Sequence, residues 1–352
     1  TLNFDEINNA TYQSESVISK KLLNYLESDY NLRLKNIEDR ATEIVESVRK
    51  SAKSDSPIES LLQEYQLNTK EGTVLLCLAE ALLRIPDKKT IDRLLEDKFA
   101  SVDWKKHIGA DKGIFVNAST WAFFLTGNIL DKKETDKTQL EEAYKSLIKK
   151  SSEPVIRSAV KRAVTILARQ FVFKPTINEG VKFTESPKYQ KNIFSFDMLG
   201  EGARTTDDAE KYFEDYQNSI HAVGKDLYNS KDIKYANGVS IKISALNPRY
   251  ERNKFADLEN ELLPKLIKLC ELAKQYNIQL CIDAEENYRL ILSLKLLEKL
   301  SAHNNLKGWN GLGLALQAYQ KRAFYVIDWL NKLAKRDSRI ITVRLVKGAY
   351  WD

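Results

Sequence analysis

After Lys174-Pro175 the hydrophobic period of the chain changes, and that change constrains the fold more than any other feature. Short apolar or β-branched runs at 193–199, 239–245, 279–284, 311–316 and 340–346 alternate with helical patterns at 206–227, 254–276, 288–301 and 321–335. Such alternation is the signature of a parallel sheet, because parallel neighbours need a crossover long enough to hold a helix. Pro264 is expected to kink or divide the second of these helices. No Gly-rich dinucleotide fingerprint accompanies the strands. Gly311-Leu312-Gly313 lies within one, lacks the third glycine and reads as close strand packing. A (β/α)-barrel is therefore favoured over a doubly wound sheet. A closed barrel needs eight strands, whereas the sequence stops after a fifth, at Trp351-Asp352, leaving an edge that proteins normally cover. The chain is accordingly read as a piece of a longer one.

Residues 1–175 read as helices throughout. From 16 to 49, apolar positions recur at helical spacing among many charges, as in an exposed amphipathic arm. The run 72–85 is apolar almost all round, so it is expected to be buried among several neighbours, and Pro86-Asp87 ends it. Further helical patterns cover 90–98, 119–130, 139–149 and 154–171. The expected organisation is a helical arm (1–52), an all-helical domain (53–175) and a partial barrel (176–352). In class terms this is α/β plus all-α, with about five βα units of a (β/α)8, TIM-like barrel.

Lys and Arg number 55 against 49 Asp and Glu, an excess of six that is small beside the total. This is a mixed surface, not a nucleic-acid footprint, and the basic pairs Lys149-Lys150 and Lys161-Arg162 read as solvated helix faces. Three cysteines, Cys77, Cys270 and Cys281, are an odd number inside apolar runs and favour a reducing compartment. No apolar run approaches the ~18 residues that span a bilayer, and the first residues lack the regions of a signal peptide. A cytoplasmic location is expected, with peripheral contact at the inner membrane face compatible with it. The three histidines, His107, His221 and His303, lie far apart, without CxxC or HExxH spacing, so no metal is assigned.

In a barrel, alternate strand residues face the interior, and those at the C-terminal strand ends line the active-site mouth. The polar exceptions inside the strands therefore matter. Lys242 shares a face with Ser244, and Asp283 with Glu285; Gln317 follows Leu314-Ala315-Leu316, and Arg344 lies on the face of Thr342 and Val346. Any one of these could be an ordinary buried polar group satisfied by a neighbour. Four on four successive strands point to a shared site. A lysine and an arginine beside carboxylates suit an anionic substrate, and Gln317 offers donors and acceptors to a heterocycle edge. In Val346-Lys347-Gly348-Ala349-Tyr350-Trp351, Gly348 permits close backbone approach and the aromatics can cover a ring or simply pack a strand exit. Two other readings stand beside a redox site. One is a Schiff-base barrel lyase in which Lys242 attacks a carbonyl. The other is a non-enzymatic helical module that binds DNA or protein.

The segments 343–352 (VRLVKGAYWD), 317–322 (QAYQKR), 242–250 (KISALNPRY) and 282–286 (IDAEE) closely resemble the proline dehydrogenase domain of the proline utilization A (PutA) family. Upstream, 196–201 (FDMLGE), 117–121 (NASTW) and 77–87 (CLAEALLRIPD) extend the resemblance to about residue 57, while the first fifty-odd residues match only as the family's helical arm. The resemblance implies an FAD-dependent barrel that oxidises L-proline to Δ1-pyrroline-5-carboxylate, with hydride passing from proline C5 to flavin N5 and electrons going on to a membrane quinone. Arg344 would lie by the flavin N5, Gln317 would bond the pyrimidine edge, and Val346, Lys347, Gly348, Ala349 and Trp351 would hold the flavin. Lys242 would bind the proline carboxylate, Asp283 would organise the amine side, and Tyr350 would shape the pocket. Glu201 would form a gating ion pair with an arginine of the last barrel helix. The resemblance further implies a bifunctional parent with a 1-pyrroline-5-carboxylate dehydrogenase domain, DNA contact through a domain outside this chain, and a homo-oligomer. Without the remaining strands and the last helix, the chain alone is expected to bind FAD weakly and turn over little proline.

Overall fold

The computed structural model describes residues 2–27, 30–51, 90, 93, 172–189, 191–226 and 230–348. The helices expected at 72–85, 119–130, 139–149 and 154–171 lie outside the described residues, as does most of 90–98. The chain divides into two compact units, Thr1–Leu32 with Pro175–Asp352, and Arg33–Lys174.

In the second unit lies most of α3 (Tyr30–Ser51), whose Ile37, Ile44, Val45 and Val48 are exposed among charges. The first unit begins with α1 (Asp5–Thr11) and α2 (Glu15–Glu27). The first 32 residues group with the sheet in one compact unit. The cause is local packing: Ile7 and Ala10 of α1 are fully buried, and Phe4 stacks on Trp329 with ring centroids 5.2 Å apart.

Next come α4 (Ile177–Thr184), β1 (Ser195–Asp197), α5 (Thr206–Gly224), β2 (Gly238–Ile241) and α6 (Phe255–Tyr276). They are followed by β3 (Gln279–Ile282), α7 (Leu290–Ala302), β4 (Leu312–Gln317), α8 (Ala323–Arg336) and β5 (Thr342–Val346). All four strand pairings are parallel, and the spatial order β1-β2-β3-β4-β5 is the sequence order. A sheet that grows in one direction has the winding of a barrel, whereas a doubly wound sheet reverses at a switch point.

The register gives the sheet two unlike faces. Phe196, Val239, Leu280 and Leu312 align in one rank, and Ile241, Ile282, Leu314 and Val343 in another. Of these, Val239, Ile241, Leu280, Ile282, Leu312 and Leu314 join Leu262 and Leu266 of α6, Leu294 and Leu297 of α7 and Val326 and Leu330 of α8 in the core, with Phe196 packed against it and Val343 exposed on β5; each buried aliphatic contributes about 1.5–3 kcal/mol. On the opposite face, Asp197, Ser240, Cys281, Gly313 and Thr342 form a rank of small or polar residues. Glycine packs closely here: a Cβ on Gly311 would lie 2.6 Å from Ile278 O, and one on Gly313 would lie 2.9 Å from Thr342 O.

Four sequence expectations change in detail, one of them the strand expected at 279–284, which stops at Ile282, so Asp283 and Glu285 lie beyond it and do not share a strand face. The strand expected at 193–199 is only 195–197 long, because Leu199 turns into the left-handed region at φ 62°. The strand expected at 239–245 stops at Ile241, and residues 243–245 form a 3-10 turn, so Lys242 and Ser244 do not share a strand face. That turn forms because Ala245 N–H donates to Lys242 O and the Glu285 carboxylate captures Ser244 N–H. Finally, α6 runs through Pro264 without a break. Burial of Leu258, Leu262, Leu266 and Leu269 offsets a cost of about 3 kcal/mol for an interior proline. Among the described residues, no helix is long and apolar enough to cross a membrane.

Candidate active site

Each strand ends by presenting a polar group, and the groups meet at the C-terminal rim. Lys242 leaves β2, with its Nζ 2.6 Å from Asp197 Oδ2 at the end of β1 and 3.0 Å from Asp283 Oδ2 just beyond β3. Arg344 of β5 places Nη2 2.5 Å from the other oxygen of Asp283. The result is a chain of alternating charge, Asp197, Lys242, Asp283 and Arg344. Gln317, the last residue of β4, donates through Nε2 to Glu285 O at 2.8 Å.

A second layer of hydrogen bonds fixes these ends in place. Tyr216 of α5, fully buried, donates to Gly200 O and accepts Lys242 N–H at 2.8 Å. Ser244 accepts Gly202 N–H at its Oγ and Ala203 N–H at its carbonyl, so the β1–α5 loop is tied to the turn after β2. Glu285 accepts Ser244 N–H at 3.0 Å on Oε1 and the Arg289 guanidinium at 3.2 Å on Oε2. Val346 O and Lys347 O accept Ala318 N–H and Tyr319 N–H, which joins the exits of β4 and β5. The rim is therefore one connected belt from β1 to β5, the preorganisation that a binding site needs.

The electrostatics follow from this packing. Burial opposes the charge of Lys242, but the carboxylates of Asp197 and Asp283 more than offset it, so its pKa lies above the ordinary lysine value. Burial raises the pKa of Glu285 despite its bonds to Ser244 and Arg289. Burial also pushes the Cys281 thiol up to about 11, which leaves it an unreactive small apolar residue.

Gly348, at φ 104°, occupies the left-handed side of backbone space, and a Cβ there would lie 2.5 Å from Tyr319 Cδ1 and 2.9 Å from Gln317 Oε1. Both facts demand glycine at the β5 exit. Glu201 is exposed in the β1–α5 loop. Ala349, Tyr350 and Trp351 lie outside the described residues.

Asp197 belongs to the rank and was passed over in the sequence, although an acidic residue at a strand end is the same signal that marks Asp283. Ser244 and Glu285 stand out in the sequence beside Lys242 and Asp283, whereas the belt residues Tyr216 and Arg289 carry no comparable signal, because a helix or loop position does not reveal its partner.

The family profile described as "Proline dehydrogenase" matches residues 181–352, and the one described as "DNA-binding domain of Proline dehydrogenase" matches residues 57–171. "Bifunctional protein PutA" of Klebsiella aerogenes is 47% identical over 295 residues, covering 84% of this chain and 22% of the relative. The chain belongs to the PutA family. The PutA of Rhizobium meliloti is 45% identical over 312 residues, covering 89% of the chain and 25% of the relative. A crystal structure of Bradyrhizobium japonicum PutA superposes with a TM-score of 0.58 at 35% identity, over 99% of this chain and 32% of that one. The chain thus spans about a quarter of the length of the PutA relatives it matches. The match at 57–171 falls in the helical part of this chain, where a DNA- or protein-binding helical module stands as a rival reading beside DNA contact through a domain outside the chain.

Proposed function

We propose that the rim of this sheet is part of a site that oxidises L-proline to Δ1-pyrroline-5-carboxylate with bound FAD. The observation that carries the reading is the row Asp197, Lys242, Asp283, Arg344: two cations held by carboxylates at the mouth of a parallel barrel-type sheet. FAD, when bound, accepts the hydride from proline C5, and a quinone at the membrane surface is the proposed onward acceptor.

The residues present fit such a group. Arg344 Nε is buried and has no hydrogen-bond partner among the described residues, while Nη2 is held by Asp283. A buried donor of this kind suits an acceptor-rich heterocycle. Arg344 would hold the flavin near its reacting edge, Gln317 its pyrimidine edge, and the exit strand at Val346, Lys347 and Gly348, with Ala349 and Trp351, its remaining flank. Lys242 would bind the proline carboxylate, Asp283 would orient the amine, and Tyr350 would shape the pocket. Glu201 would gate the mouth. The sheet would be completed to a (β/α)8 barrel by further strands of the intact protein.

The charge state of Lys242 weighs against a Schiff-base lyase. A nucleophilic lysine needs a lowered pKa, and this one is raised. DNA contact by residues 57–171 is a separate reading favoured by the profile match alone. Salt-dependent binding of duplex DNA would support it, and none at low salt would reject it.

The test is spectroscopic. The intact gene product supplied with FAD should show bound-flavin absorbance that L-proline bleaches without oxygen, and Lys242→Ala should require far more proline. Bleaching with wild-type proline dependence in Lys242→Ala would reject the assignment.

A further inference from the structure

The carboxylate of Asp197 is held at both oxygens. Oδ1 accepts Leu199 N–H at 2.8 Å, and Oδ2 lies 2.6 Å from Lys242 Nζ. Leu199 makes the first contact from φ 62°, a region that a leucine enters at a conformational cost, and its half-exposed side chain gains little core burial in return. The backbone of the β1 exit is thus strained into the one geometry that fixes Asp197.

Lys242 has three N–H donors. Asp197 and Asp283 accept two of them, and the Lys242 side chain is only 14% exposed. Asp283 also serves Arg344, so its charge is divided between two cations. Asp197 is the nearer of the two carboxylates around Lys242. Among the described residues, the other polar side chain bonded to Lys242 is Tyr216, whose hydroxyl accepts the backbone N–H and not the ammonium.

We infer that Asp197 is a positioning residue for Lys242: it fixes the ammonium in its charged form and leaves one N–H for the carboxylate of an amino-acid substrate. The identity of that carboxylate rests on the proposed proline reaction, while the action of Asp197 on Lys242 does not.

The experiment is labelling of the intact, FAD-supplied protein with an amine-reactive ester, quantified at each lysine by mass spectrometry. Lys274, held by the carbonyls of Asn305 and Lys307, serves as the internal reference. In Asp197→Asn and Asp197→Ser, the ratio of Lys242 to Lys274 labelling should rise roughly tenfold at fixed pH, because one adjacent opposite charge displaces a pKa by about 1 unit or more. L-proline should slow the labelling of wild-type Lys242, and the variants should raise KM for proline more than they lower kcat. An unchanged ratio in both variants, or a rise shared equally by Lys274, overturns the role of Asp197. A raised ratio without protection by proline in the wild type leaves Asp197 acting on Lys242 and rejects the proline reading of the site.

Discussion

Arg344 Nη2 lies 2.5 Å from Asp283 Oδ1, although β4 separates the strands from which the two residues come. The bridge spans the strand because the register partner of Arg344 on β4 is Ala315, whose methyl group leaves room above it. Ala315→Leu should block the bridge, costing about 1–3 kcal/mol through overpacking and abolishing bleaching of the flavin by proline. Urea unfolding and the flavin spectrum check this; a stable variant with unchanged bleaching contradicts it.

Asp283 serves two cations whose side chains are 14% and 35% exposed. Asp283→Ala should therefore leave Lys242 and Arg344 facing one another with no carboxylate between them, and Asp197 alone beside Lys242. Stability should fall by about 2 kcal/mol, and KM for proline should rise roughly tenfold or more. Denaturant titration and steady-state kinetics read the two effects separately.

The outer face of the sheet was legible in the sequence because aliphatic residues alternate there with small or polar ones, as in Leu312-Gly313-Leu314-Ala315-Leu316. Lys242, Asp283, Gln317 and Arg344 stood out as polar exceptions in those runs. Strand ends were less legible. They are set by captured backbone donors, such as Ser244 N–H on Glu285, between residues 41 positions apart. Helix α1 falls within the helical reading of 1–52, but its own bounds are not legible: Ile7 and Ala10 are too few to show a period, and their burial depends on α8.

At Gly348 an added Cβ meets both a left-handed backbone and the ring of Tyr319. Gly348→Ala should loosen the joined exits of β4 and β5, at a cost of about 1–3 kcal/mol locally, and weaken FAD binding. Fluorescence titration with FAD measures the change, and an unaltered Kd would contradict it.

The α8 C-terminus supplies a pH dependence. Burial would raise the pKa of Asp337, but bidentate contact with Arg336 and the Ser301 hydroxyl more than offset it, so its pKa lies below the ordinary 3.8. A depressed carboxylate contributes stability that is present above the unfolded value and lost as pH falls through the folded one. Asp337→Asn should therefore lose about 0.5–1 kcal/mol at neutral pH, after solvent screening, and converge with wild type as pH falls below 3.8 and through the lowered folded value. Parallel denaturation curves with a constant gap down to pH ~2 would contradict this.

Anaerobic addition of L-proline to the FAD-supplied intact protein, in wild type and in Arg344→Ala, tests the role of the charged row most directly. Bleaching of the flavin band in the wild type and its loss in Arg344→Ala is the predicted result. Equal bleaching in both proteins, or no proline-dependent change in the wild type, would contradict it.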